Sequence, residues 1–211
     1  MIEQIYTNVE QGSDEWHAAR LGRVSASSVS DVMSKGRTAG SESDTRKNYR
    51  LKIVAERMTG ARGDGYSNAA MEWGTEQEPF ARMAYEANRN VLVDKTGFWL
   101  HPTIEWVGVS PDGLVGDDGL VEIKCPNTTT HLEWCFAGKV PAKHVKQIQC
   151  QLWVTGRKWC DFVSYDPRLP MRNRLFIVRM PRDEELIAEM EAEVVKFLAE
   201  VDAMIELLNK E

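Results

Sequence analysis

The sequence predicts an α/β (α+β) fold in which a central mixed β-sheet is flanked by helices, and three observations carry that prediction. Segments rich in Val, Ile, Phe, Trp and Tyr at 91–100, 104–109, 120–125, 160–165 and 175–180 read as strands. Helical periodicity precedes, separates and follows them, giving a core order of helix, three strands, helix, two strands. A composition of 43% hydrophobic and 27% charged residues over 211 positions is that of a globular chain able to bury a sizeable core, so one domain over 1–211 is expected.

The elements follow in order. A short helix over 15–21 opens after Gly12-Ser13-Asp14, and a second spans 26–33 with Ser25 as its N-cap. Arg20 lies near their junction, where a guanidinium beside hydroxyls and helix-terminal amides suits a phosphate. By themselves these residues fit a surface arginine and capping serines better. A Gly-, Ser- and Thr-rich loop over 35–44 leads to a helix over 45–58 and a further loop to 68.

The helix expected over 69–87 places Ala70, Trp73, Gln77, Phe80 and Ala84 on one stripe, with Pro79 bending it or setting its start. Glu78 falls on the neighbouring stripe with Met71, Gly74 and Tyr85, at an edge where a third carboxylate would serve a metal; Glu72 and Glu76 compete for that role. A helix over 142–154 puts Gln147 and Gln151 on one face. They either face the sheet, to hold water or a phosphate oxygen, or are exposed amides. A last helix, about 183–209 and roughly 40 Å long, aligns Leu186, Met190, Val194, Phe197, Val201, Ile205 and Leu208. Such a face covers the protein's own core by default.

The chemistry concentrates in a hairpin within 104–126, where Pro111-Asp112 is followed, after nine intervening residues, by Glu122-Ile123-Lys124. Alternation along a strand sets Glu122 and Lys124 on one face and Val121, Ile123 and Cys125 on the other. Gly116-Asp117-Asp118-Gly119 marks the turn that folds Asp112 back towards Glu122. Two adjacent carboxylates repel unless a cation lies between them, and an all-oxygen donor set selects Mg²⁺, with Mn²⁺ as a substitute, over zinc. Such a metal polarises a phosphoryl oxygen and acidifies water, while Lys124 orients that water or offsets transition-state charge. The implied reaction is phosphodiester hydrolysis. A Glu/Lys pair on an ordinary exposed hairpin is the simpler alternative.

The net charge of −6 is unevenly spread: residues 183–211 hold ten acids and two lysines, which leaves the rest of the chain at +2. Lys35 with Arg37, Arg46 with Lys47 and Arg50, and Lys139 with Lys143 and Lys146 are candidate polyanion contacts or else solvated faces. Cys125, Cys135, Cys150 and Cys160 have no metal-site spacing and are expected as thiols. No run of about 18 apolar residues suits a membrane, and the first twelve residues lack a signal-peptide pattern, so a location in the cytoplasm is expected.

The ordered motifs go further. Gln11-Gly12, Glu15-Trp16-His17, Arg20-Leu21-Gly22, Ala26-Ser27, Trp73-Gly74 and Gln77-Glu78 are followed by Ser110-Pro111-Asp112-Gly113-Leu114 and Glu122-Ile123-Lys124-Cys125-Pro126. Gln147-Ile148-Gln149, Trp153-Val154-Thr155 and Tyr165-Asp166-Pro167-Arg168 complete the set. With these, nearly the whole chain resembles the bacteriophage lambda exonuclease family, YqaJ-like alkaline 5′→3′ exonucleases of phage recombination systems within the PD-(D/E)xK nuclease superfamily.

The resemblance implies a restriction-endonuclease-like core. It implies metal binding by Asp112, Glu122 and the Ile123 carbonyl with help from Glu78, catalysis by Lys124, and assistance from Gln147. It also implies a 5′-phosphate pocket formed by Arg20, Ser27 and Ser110, and it sets Met71 at the place of an apolar wedge that parts the terminal base pairs. The implied activity is Mg²⁺-dependent digestion of double-stranded DNA from a free end, releasing 5′ mononucleotides and leaving a 3′ single strand. A ring-shaped homotrimer, a phage single-strand annealing protein as partner and a bacterial host cell are implied with it. The loops over 35–44 and 61–66 depart from the family pattern. An endonuclease or junction resolvase with the same metal hairpin, a non-catalytic DNA-end binding module, and a scaffold that binds a recombination partner through its acidic last helix are the competing functions.

Overall fold

The computed structural model describes residues 9–38, 40–63 and 69–210 together with the backbone of 6–7; part of each loop that departs from the family pattern therefore lies outside the described residues. In chain order the elements are β1 (Tyr6–Thr7), α1 (Asp14–Arg20), β2 (Val24–Ser25), a 3-10 turn (Ala26–Ser28), α2 (Val29–Val32), α3 (Asp44–Thr59), α4 (Ala69–Arg89), β3 (Phe98–Leu100), β4 (Val107–Val109), β5 (Gly113–Val115), β6 (Gly119–Lys124), α5 (Thr128–Ala137), α6 (Ala142–Thr155), β7 (Trp159–Tyr165), a second 3-10 turn (Met171–Asn173), β8 (Leu175–Pro181) and α7 (Glu184–Leu208).

The strands form two mixed four-stranded sheets, ordered β1-β3-β4-β2 and β5-β6-β7-β8. In the second, β5 and β8 are antiparallel to their neighbours, while β6 and β7 run parallel, with Glu122 opposite Phe162 and Lys124 opposite Ser164. A parallel pair needs a long crossover, and α5 and α6 provide it. Both faces of β6 are covered. Val121 and Ile123 pack with Ala81 and Tyr85 of α4, whereas Leu120 packs with Trp134, Ile148, Leu152 and Phe162 beneath α5 and α6. A third cluster joins the first sheet to α2, α3, α6 and α7 through residues such as Val24, Ile53, Trp99, Val154 and Phe197.

Several expectations change. The expected strand 91–100 is a strand only from Phe98; upstream, the Val93 amide is held by Glu86 and only Asp94 bridges to Leu114, with both N–H···O distances 2.9 Å. The segment 104–109 contributes β4 to the first sheet, so the strand that pairs with β6 is β5, around the expected Gly116–Gly119 turn. The stretch 26–33 is a 3-10 turn plus one helical turn, and Ser25 caps nothing with its side chain. Helix α5 was not anticipated. Its three leading threonines are poor helix formers, but Asn127 caps it through the Thr130 amide at 2.9 Å, and buried His131 and Trp134 anchor it.

Helix α4 runs through Pro79, and its buried side carries Ala81 and Tyr85, with Trp73 and Ala84 partly covered. Phe80, expected on the core stripe, is 53% exposed. The face is set by Tyr85, whose hydroxyl donates to the buried Asp161 carboxylate at 2.8 Å. Helix α7 buries Met190, Val194, Phe197 and Val201 as expected, with Ile187 and Leu198 in addition, while Leu186 and Ile205 are partly covered and Leu208 at its end is exposed. The acids of α7 are partly spent inside the fold: Glu200 pairs with Arg46 at 2.6 Å and with Arg50 at 2.6 Å, Asp202 with Arg57 at 2.7 Å, and Glu189 with Lys35 at 3.4 Å. Arg46 and Arg50 are therefore structural cations rather than polyanion contacts. The four cysteines are free thiols. Among the described residues no helix is long and apolar enough to cross a membrane.

Candidate active site

The hairpin makes the site. Pairing of Gly113 with Val121 folds Asp112 over the start of β6's functional segment, and the Asp112 Oδ2 accepts the Ile123 amide at 2.6 Å. The register requires glycine. A Cβ on Gly113 would lie 2.1 Å from Val93 Cγ1, and one on Gly119 would lie 2.2 Å from the Trp159 ring. Strand alternation turns Glu122 and Lys124 together towards α6, where they form a close ion pair.

Glu122 is only 1% exposed. Gln147 Nε2 donates to its Oε1 at 2.6 Å and Gln151 Nε2 to its Oε2 at 2.7 Å, so both glutamines face the sheet. The partnership of Gln151 with Glu122 was not assigned from the sequence, although its spacing from Gln147 signalled a shared face. Burial, then the adjacent Glu122 charge, lifts the Asp112 pKa well above the usual carboxylate range. Burial alone would lower the Lys124 ammonium, but Glu122 and Asp112 raise it overall, so it stays charged. His144 lies on α6 stacked on Phe162; burial and the Lys124 charge push it down to about 4, which keeps it neutral.

Glu78 is half-buried and receives Arg82 Nη2 at 2.7 Å, whereas Glu72 and Glu76 are exposed. Of the three competing acids, Glu78 alone lines the cleft that contains Asp112. No group of three His, Cys, Asp or Glu side chains among the described residues is arranged to hold a metal ion by itself. What the hairpin offers is a buried carboxylate, Glu122, beside the partly buried Asp112, whose pKa is raised by desolvation and then by the Glu122 charge. That donor chemistry fits Mg²⁺, which is bound by one or two carboxylates and completes its shell with water and substrate phosphate.

The cleft has a volume of about 1160 Å³, and Arg20, Ser25, His17, Arg62 and Met71 line it together with Asp112 and Glu78. Arg20 Nη2 lies 3.4 Å from Ser25 Oγ and 3.5 Å from Ser27 Oγ, with its guanidinium 4.3 Å above the Trp16 ring. Ser110 is one step removed: its Oγ accepts Trp16 Nε1 at 3.0 Å. Burial lowers the Arg20 pKa from its ordinary value, yet an arginine remains charged. Ser25, His17 and Arg62 were not singled out as site residues from the sequence; Arg62 Nη1 reaches His17 Nδ1 at 2.9 Å beside this basin. Met71 is 55% exposed on the lining of this cleft rather than packed in a core.

A mixed sheet carrying paired carboxylates and a lysine beside a cationic cleft defines a nuclease-type enzyme, and comparison with known proteins identifies its kind. The family model of the YqaJ-like viral recombinase domain matches residues 15–158, and the chain belongs to that family. It is 50% identical to the alkaline exonuclease LHK-Exo of Laribacter hongkongensis, whose crystal structure superposes with a TM-score of 0.87 over 94% of this chain and 97% of that one. The crystal structure of LHK-Exo in complex with dAMP gives the same values. A phage-related exonuclease of Haemophilus somnus shares the fold, with a TM-score of 0.70 and 19% identity over 88% of this chain and 96% of that one. An uncharacterised protein of Acanthamoeba polyphaga mimivirus is 26% identical over 172 residues, 74% of this chain; the match spans 29% of that much longer relative.

Proposed function

We propose that this protein is a Mg²⁺-dependent 5′→3′ exonuclease that loads on double-stranded DNA ends, holds the 5′-phosphate, releases 5′ mononucleotides and leaves a 3′ single strand for recombination by strand annealing. The observation that carries the proposal is the single cleft in which Arg20 and Ser25 share walls with Asp112 and Glu78. A phosphate receptor within one cleft of the carboxylates suits an enzyme that positions a strand end for cleavage. The relative LHK-Exo, an alkaline exonuclease crystallised with dAMP, supports a product of mononucleotide class.

In this mechanism Arg20, with Ser27 beside it and Ser110 acting through Trp16, holds the terminal phosphate and so sets how far the strand enters. Met71 on the rim separates the last base pair. Gln147 and Gln151 fix the Glu122 carboxylate in one rotamer, and the Ile123 amide fixes Asp112. Mg²⁺ bound by Asp112, Glu122 and the Ile123 carbonyl, with Glu78 nearby, would supply Lewis-acid polarisation and an acidified water. Lys124 leaves its ion pair with Glu122 to orient the attacking water and to offset charge as it develops on the phosphate. A homotrimeric ring around the DNA and a single-strand annealing protein that receives the 3′ tail belong to the same proposal.

The test is digestion of linear duplex labelled separately at its 5′ and 3′ ends, in Mg²⁺ or EDTA, beside a covalently closed circle. Early Mg²⁺-dependent release of the 5′ label as mononucleotide, with the circle intact, is expected. A nicked circle makes the enzyme an endonuclease, and first release of the 3′ label reverses the polarity.

A further inference from the structure

Resting on this nuclease reading, we propose that Arg82 is a further catalytic residue, one that contacts a non-bridging oxygen of the scissile phosphate while it holds Glu78. Arg82 projects from the fourth helical turn of α4, one turn beyond Glu78, and its side chain is 14% exposed. Nη2 is used in the 2.7 Å bond to Glu78 Oε1. Nε and Nη1 are buried and have no hydrogen-bond partner among the described residues. A buried guanidinium with most of its donors unmet is costly in a folded protein, and such a group is found where an acceptor arrives from outside.

The surroundings name that acceptor. Arg82 lines the same cleft as Asp112 and Glu78, so an oxygen entering there meets carboxylates on one side and this cation on another. A phosphodiester brings oxygens that accept from arginine, whereas a further carboxylate would be repelled by the two already present. For this contact the guanidinium would turn about its last side-chain bonds as the phosphate enters, bringing donors that are now buried to the cleft. Lys124 approaches from β6, where it is paired with Glu122, and Arg82 is the cation that α4 adds beside Glu78. As the bond to the leaving strand breaks, charge gathers on the non-bridging oxygens, and a fixed guanidinium holds that charge more tightly than it holds the ground state.

The experiment measures kcat on a 5′-phosphorylated duplex at saturating DNA while Mg²⁺ is titrated, for wild type, Arg82→Ala and Arg82→Lys, and compares binding of the duplex end in Ca²⁺. Arg82→Ala should lower kcat about 100-fold, a loss typical of one transition-state donor, and excess Mg²⁺ should not restore it. Arg82→Lys should recover part of the rate, since it keeps the charge without the planar fork. End binding in Ca²⁺ should change little. Full recovery at high Mg²⁺ would overturn the proposal, because Arg82 would then serve only to hold Glu78 for the metal; an unchanged kcat would overturn it equally. If Arg82→Ala melts early, the lysine variant decides, and a wild-type kcat there removes the proposal. Wild-type hydrolysis by Lys124→Ala in the same assay would instead sink the underlying reading of the site, and the role of Arg82 with it.

Discussion

Glu122 shows at the residue scale how burial is turned to use. A carboxylate 1% exposed would be untenable alone; here two amides and an ammonium satisfy it. Gln151→Ala leaves Oε2 short of a donor and should cost roughly 1–3 kcal/mol, read as a lowered denaturation midpoint, with activity reduced as Glu122 loses its orientation. Lys124→Ala should lower hydrolysis by roughly two to four orders of magnitude while the protein stays folded, as circular dichroism would show. Asp112 behaves oppositely to a stabilising acid. Its folded pKa lies above the ordinary value, so the folded state binds the proton more tightly, and stability falls as pH rises from the unfolded carboxylate range through the folded pKa. Asp112→Asn removes that cost and should raise the melting temperature of the metal-free protein at neutral pH while abolishing hydrolysis. A lowered melting temperature would contradict this account of the carboxylate pair.

At the scale of elements, the hairpin was legible because three local signals agreed: a Gly-Asp-Asp-Gly turn, an alternating strand and paired acids at fixed spacing. The long last helix was legible for the same reason, since Met190, Val194, Phe197 and Val201 recur at helical spacing and are all buried. What escaped was decided by partners distant in sequence. Tyr85 selects the buried face of α4 through Asp161, 76 residues away, so Phe80 turns outward. Helix α5 exists because His131 reaches Ser164 Oγ at 2.8 Å across to β7 and Trp134 packs on Phe162, against the local preference of its threonines. The division into two sheets depends on β4 pairing in parallel with β2, a contact that no local pattern announces. Gly119→Ala tests the hairpin directly. A Cβ there meets the Trp159 ring, so the variant should lose about 1–3 kcal/mol of stability and some metal-dependent activity together.

For the whole molecule, charge is arranged rather than merely summed. The acidic α7 neutralises Arg46, Arg50 and Arg57, while Lys139, Lys143 and Lys146 form no ion pair among the described residues. Binding of duplex ends should therefore weaken as salt rises, with a slope that decreases when two of those lysines become glutamine, as measured by anisotropy across a salt series. The carboxylates and Lys124 were legible from spacing, and Arg20 from the ordered motifs. That Arg20 lines one cleft with Glu78 and Asp112 was not, because α1, α4 and the hairpin meet only in three dimensions.

The central claim is that this cleft couples recognition of a 5′-phosphate to cleavage at the carboxylates. The most direct measurement compares kcat/KM of wild type and Arg20→Ala on linear duplexes that differ only in a 5′-phosphate or a 5′-hydroxyl. A wild-type preference for the phosphate that largely disappears in Arg20→Ala is the predicted result. An equal loss on both ends, with the preference intact, would contradict it.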